Sequence, residues 1–170
     1  MPVTAATPAN LLVGAGDVYV DGAVLGASID DNAFRIERDY FTPELNGVKG
    51  MLRGTTYIDR SEAVLECSIP EISATIMESL WPGSEEAGGT ITEDGTRRLP
   101  STAYHDWALQ AEGIDGKWFT FEADGGLNLA NLEMTLGDSS VAAPRAEVHS
   151  TWDAADTDAA PHRIIVADAS

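Results

Sequence analysis

Apolar side chains return at every second position in segment after segment of this chain, and that period constrains its fold more than any other feature. Phe34 and Ile36 alternate with Arg35, Glu37 and Asp39, and further on Leu65, Cys67 and Ile69 alternate with Glu66 and Ser68. Ala103, His105, Trp107, Leu109 and Ala111 alternate with Tyr104, Asp106, Gln110 and Glu112. Leu132, Met134 and Leu136 alternate with Glu133 and Thr135, and Ala146, Val148 and Trp152 with Arg145, Glu147 and His149. Successive side chains of a strand point to opposite faces, so each segment reads as a strand with one dry and one wet face.

Turn chemistry divides these segments. Asp21-Gly22 stands between a strand at 16–20 and its return at 23–27, and Asp115-Gly116 precedes another strand at 117–122. Asp-Gly between apolar runs is a strong hairpin signal, because both turn residues must take positive φ. Further strands are expected at 33–41, 57–69, 103–112, 132–136, 145–152 and 162–167. Pro70 precedes the one expected helix, 71–81, in which Ile72, Ile76 and Leu80 recur every four residues and Pro82-Gly83 ends the pattern. Residues 1–15 read as a loose N-terminal segment, and 83–100 and 153–160 as polar loops. About eight strands at this spacing with one helix predict a mainly β fold. The expected architecture is an antiparallel β-sandwich or barrel with one flanking α-helix, in a single domain over residues 1–170.

The segment 42–56 breaks the alternation. Pro43, Gly47, Gly50 and Gly54 forbid a regular element there, yet Leu45, Val48, Met51 and Leu52 make it more apolar than a linker needs. Such a loop is expected to pack on something, and Leu45, Val48, Lys49, Met51, Leu52 and Arg53 are its candidate contact residues.

The chain has 28 acidic and 10 basic residues, a formal net charge of −18. That balance argues against direct binding of nucleic acid phosphates or anionic membranes. The single cysteine, Cys67, excludes an intrachain disulfide and alternates into the expected core. The first ten residues show no basic-then-apolar leader, and no apolar run approaches the roughly 20 residues of a membrane-spanning helix. A protein made in a cytoplasm is therefore expected.

Catalytic motifs are absent from the sequence. It holds no Gly-x-Ser-x-Gly, His-Glu-x-x-His or phosphate loop, and Gly14-Ala15-Gly16 runs into a strand where a dinucleotide fingerprint needs a helix. His105, His149 and His162 are far apart and form no ligand pair, so no metal or cofactor is expected. Asp153, Asp156 and Asp158 lack the glycine and the closing glutamate of a calcium loop. The expected polar strand faces are strongly one-sided. They carry Glu37, Asp39, Glu66, Asp106, Glu112, Glu122, Glu133 and Glu147 against Arg35 and Arg145. One reading is a surface whose negative charge is useful, with Glu37, Asp39, Glu66 and Glu133 as its leading candidates. The other is simply a well-solvated acidic protein.

The order of these features resembles the tail tube, or major tail, proteins of long-tailed, non-contractile bacteriophages (siphovirus type), especially those of actinobacterial hosts. The residues that carry the likeness are the Gly16-Asp-Val-Tyr-Val-Asp-Gly22 hairpin, Leu25-Gly-Ala27, Phe34-Arg-Ile-Glu37 and the Pro43-Glu-Leu-Asn-Gly-Val-Lys-Gly50 loop, followed by a long strand and a helix. The likeness is clearest over about residues 13–81, and the strand-rich remainder agrees in layout.

The resemblance implies a structural virion protein and not an enzyme. It implies self-assembly into hexameric rings that stack into a tail tube, with the sheets of neighbouring subunits joined into one barrel and long loops bridging subunits. Double-stranded DNA would pass through the lumen during ejection without specific binding. Its partners would be sister copies and the tape measure, distal tail and tail terminator proteins, with no membrane and no cofactor. It would be assembled in the host cytoplasm and reside in the virion. On this reading Arg35, Arg38, Lys49, Arg53 and Arg60 are expected to meet acids of a neighbouring copy. Other virion proteins, a tail terminator or a capsid decoration protein, share the same physics. A hydrolase using two carboxylates is suggested only by the abundance of acids.

Overall fold

A computed structural model describes residues 16–43, 53–70, 73–93, 95, 97–113, 116–133, 143–156 and 158–167. The N-terminal segment 1–15 and residues 44–52 of the expected loop lie outside them. Among the described residues the chain forms β1 (Asp17–Val20), β2 (Ala23–Ala27), β3 (Ile29–Phe41), β4 (Tyr57–Ser68), α1 (Ala74–Leu80), β5 (Ser84–Ala87) and β6 (Thr90–Glu93). It continues with β7 (His105–Glu112), β8 (Trp118–Asn128), β9 (Arg145–His149) and β10 (His162–Ala167).

The main sheet runs β2-β1-β7-β8-β9-β4-β3, with β10 on β8. Every pairing is antiparallel. This path is bent into two layers by β8. Residues 118–123 of β8 pair with β7 and β10, whereas Leu127 and Asn128 pair with β9. The first layer is therefore β2-β1-β7-β8-β10, and the second is β9-β4-β3. Gly125, at φ 54°, falls at the register shift in the β7 pairing, and Gly126 pairs with His105 immediately before the β9 pairing begins at Leu127. A Cβ on Gly126 would stand 2.5 Å from Val148 Cγ1 and 2.9 Å from Trp107 Cδ1, so only glycine lets β8 turn this closely against both layers.

The core lies between the layers. Val18, Trp107, Leu109 and Ala123 of the first meet Leu65, Cys67, Ala146 and Val148 of the second, all within one buried cluster. Burying a side chain of this size contributes roughly 1.5–3 kcal/mol, so the cluster holds the sandwich together. Cys67 sits in it at 1% exposure, and burial pushes its thiol up to about 12. The sheet path does not close into a barrel.

Helix α1 begins later than its sequence pattern suggests. Ser73, not Pro70, caps it, its Oγ accepting the Ile76 N–H at 3.3 Å. Seven residues are too few to be helical alone. Ile76, Met77 and Leu80 dock into the core, and Asn128 Nδ2 donates to the Leu80 carbonyl at 2.6 Å. Asn128 Oδ1 accepts from Glu147 N–H at 2.8 Å, so one buried amide ties the helix to both layers.

The Asp21-Gly22 hairpin forms as expected, with φ of 49° and 76°. Three expectations need correction. The 83–100 loop contains a hairpin, β5–β6, turning at Gly88-Gly89, because two glycines with positive φ allow a two-residue turn between Thr- and Glu-rich segments. Leu132 and Glu133 belong to irregular backbone and not to a strand, and 134–136 fall outside the described residues. β9 stops at His149, so Trp152 leaves the ladder and is 43% exposed.

Candidate assembly surface

Partners across an antiparallel ladder share a face, so the register assigns every side chain of the second layer. Phe34, Ala63, Leu65, Ala146 and Val148 face inward. Arg35, Glu37, Asp39, Arg60, Glu62, Glu66, Arg145, Glu147 and His149 face outward. The outward side chains are knitted together. Arg35 pairs with Glu37 at 2.8 Å, with Glu66, and with Glu147 at 3.5 Å. Arg145 also pairs with Glu66, Arg60 with Glu62, and His149 with Glu62 and Glu147. Burial raises the Glu62 carboxyl, but hydrogen bonds from His149 and Arg60 outweigh it and the net direction is down. Ion pairs with at least one exposed partner, such as Arg35–Glu37 and Arg60–Glu62, are worth about 0–1 kcal/mol each, so the network shapes the surface more than it holds the fold.

Arg35 and Arg60 meet acids of their own chain. Arg38 and Arg53 are exposed, the latter in a turn. Lys49 and the apolar loop residues Leu45, Val48, Met51 and Leu52 lie outside the described residues.

The eight acids that the alternation grouped on polar strand faces are divided. Glu37, Asp39, Glu66 and Glu147 lie on the outside of the second layer. Asp106, Glu112 and Glu122 lie on the outside of the first, and Glu133 is exposed but off any strand. The two outer faces point away from one another, so the eight cannot share one surface. Of the four leading candidates, Glu37 and Asp39 are exposed, while Glu66 is held beneath Arg35 and Arg145 with 16% of its side chain accessible.

Sequence alternation gave no sign of the uncovered apolar surface. Among the described residues β10 pairs only with β8, and Ile164, Ile165 and Val166 are 41–56% exposed along it. At the far end of the β3–β4 hairpin, Tyr40 faces Ile58 and Phe41 faces Tyr57, all four more than half exposed. The run Ile-Ile-Val was legible as a strand, but not its pairing with β8 alone among the described residues.

A concave region on the outside of the first layer contains Asp124, whose carboxyl is raised by burial and by Asp106 and Glu122 against the opposing pull of Arg163. No group of three or more possible metal ligands occurs among the described residues. No helix there is long and apolar enough to cross a membrane. No protein-family model matches the sequence, and no curated protein matches it either.

Proposed function

We propose that this chain is a structural protein that assembles with copies of itself through its open sheet edges. The observation that carries the reading is β10, which has one strand neighbour among the described residues and bears the exposed Ile164, Ile165 and Val166 on a chain of net charge −18. Exposed apolar edges are aggregation hazards, and proteins that function as monomers blunt them with charge, proline or bulges. Pairing with a sister copy removes the hazard and orders it, while the acidic surface limits indiscriminate association.

Within that class, the subunit is a phage tail tube protein. The order of motifs in residues 13–81 supports this narrower reading, as do the long β3–β4 hairpin with its apolar tip and a domain of two antiparallel layers with one docked helix. Six-membered rings would stack into the tube. Glu37 and Asp39, exposed on the same outer face, would be the acids nearest to passing DNA. Pairing of Glu66, Glu62 and Glu147 with arginines makes that face less acidic than the sequence suggests.

Negative-stain electron microscopy and mass measurement of the purified chain test both levels. Rings or tubes about as wide as a phage tail are expected, and Ile164→Lys with Val166→Lys should return folded monomers. A strictly monomeric wild-type protein at high concentration would remove the assembly reading. A single ring or a trimer would favour a tail terminator or a capsid decoration protein.

A further inference from the structure

A groove crosses the outside of the first layer. Its two concavities, about 1120 Å³ and 540 Å³, adjoin at Asp106 and Asp124, which line both. Tyr104 and Trp152 line one part of it and Tyr19 the other. Two of these rings, Trp152 and Tyr19, are held by hydrogen bonds, and two, Trp152 and Tyr104, are more than a third exposed. The Trp152 indole N–H donates to the Ser61 carbonyl at 3.0 Å, and the ring remains 43% exposed. Tyr19 Oη donates to Gln110 Oε1 at 3.0 Å, and Tyr104 is 39% exposed. Between the rings, Asp106 Oδ1 accepts the Gly125 N–H at 2.8 Å, while the Asp124 side chain makes no hydrogen bond to another described residue.

We propose that this groove binds a neutral oligosaccharide. Sugar rings present an apolar C–H face and a rim of hydroxyls. An immobilised, half-exposed aromatic ring matches the first, because it offers apolar area with little entropy left to lose. A carboxylate such as Asp124 matches the second, accepting from two hydroxyls at once. Two adjoining concavities, Tyr104 and Trp152 lining one and Tyr19 the other, suit several linked rings better than one compact ligand. Surrounding carboxylates disfavour phosphorylated or carboxylated ligands. A basic peptide is also disfavoured, because Arg163 already occupies Glu122, His105 already engages Asp21, and Arg97 stands in the groove wall. The proposal does not depend on the tube assignment.

Isothermal titration of the full chain with cellohexaose, maltohexaose and chitohexaose tests it, with hexalysine as the competing occupant. At least one hexasaccharide should bind, with an affinity insensitive to added salt. Trp152→Ala and Tyr104→Ala should each weaken binding about tenfold or more. Asp124→Asn should weaken it too, and Glu37→Gln, on the outside of the other layer, should leave it unchanged. If Trp152→Ala does not fold, as judged by circular dichroism, Tyr104→Ala decides, since its exposed ring is absent from the buried core. Absence of binding by all three sugars, unchanged affinity in the tyrosine variant, or salt-sensitive hexalysine binding tighter than any sugar would each overturn the proposal.

Discussion

The Phe34 and Phe121 rings meet with centroids 5.1 Å apart and planes tilted by 36°, one ring from β3 and the other from β8. They lie on opposite layers of the sandwich, so this contact links the β3 end of the sheet path to its middle strand, beside the buried cluster that joins the layers. Neither ring is fully buried. Phe34→Ala should therefore destabilise the fold by about 2 kcal/mol, below the 3–5 typical of a fully buried phenylalanine. A double-mutant cycle with Phe121→Ala, measured by urea unfolding, should yield a coupling of about 0.5–1.5 kcal/mol. Strict additivity would mean that the rings do not clamp the layers.

Gly126 is the tightest point of the same architecture. An added methyl group collides with Val148 Cγ1 and Trp107 Cδ1, and the second of these belongs to a rigid ring in the core. Gly126→Ala should destabilise by about 1–3 kcal/mol, the usual range for overpacking. Adding Val148→Ala removes one of the two collisions, so the double variant should be less destabilised than the sum of the singles. Thermal melts of the four proteins measure this directly.

His162 gives the fold a pH dependence of predictable sign. It is 8% exposed, its Nε2 lies 3.5 Å from Ser61 Oγ, and its buried Nδ1 has no partner among the described residues. Burial pushes its pKa below the ordinary 6.5, Arg38 pushes it the same way, and Asp124 opposes them. The unfolded chain thus takes up this proton at a higher pH than the folded chain does. The stability contributed by neutral His162 is fully present above the unfolded value and is lost as pH falls below about 6.5. The melting temperature of the wild type should decline from pH 6.5 toward about pH 5, and His162→Gln should flatten that decline. An unaltered slope in the variant would assign the effect to other groups.

Charge reversal at Glu37 and Asp39 addresses passage of DNA, if the tube reading holds. Both are exposed on one outer face, and neither belongs to the buried cluster. Glu37→Lys with Asp39→Lys should leave the melting temperature within a few degrees of wild type, since surface substitutions usually stay within about 0.5 kcal/mol. Tubes built from the variant should retain DNA, and increasingly so at low salt, where screening weakens. Unimpeded ejection would exclude these two residues from the lumen wall.

Much of the fold was legible because it depends on local rules. Alternation at 33–41, 57–69 and 103–112 marked the strands found at Ile29–Phe41, Tyr57–Ser68 and His105–Glu112, since the pleat has a period of two, and Asp21-Gly22 marked its hairpin since few residue pairs accept positive φ twice. The core positions of Leu65, Cys67, Trp107 and Val148 came from the same period. Boundaries were less legible. Ser73 and not Pro70 starts α1, because a capping hydrogen bond to Ile76 counts for more than proline's tolerance of a first turn. The β5–β6 hairpin escaped notice because its strands are too short and polar to show a period.

Taken alone, the sequence determined that the chain is a strand former with one wet face per strand, a small amphipathic helix and a large excess of negative charge. Those properties follow from neighbours a few residues apart. Tertiary structure decided which strands face one another, and with it the division of the acids between two opposite surfaces, the pairing of Arg35 with Glu66 across 31 residues, the exposure of Ile164, Ile165 and Val166 on β10 and that of Trp152. Each of these depends on contacts between distant segments. A pleat tells a side chain only that it points up or down, and what lies above or below is supplied by the rest of the chain.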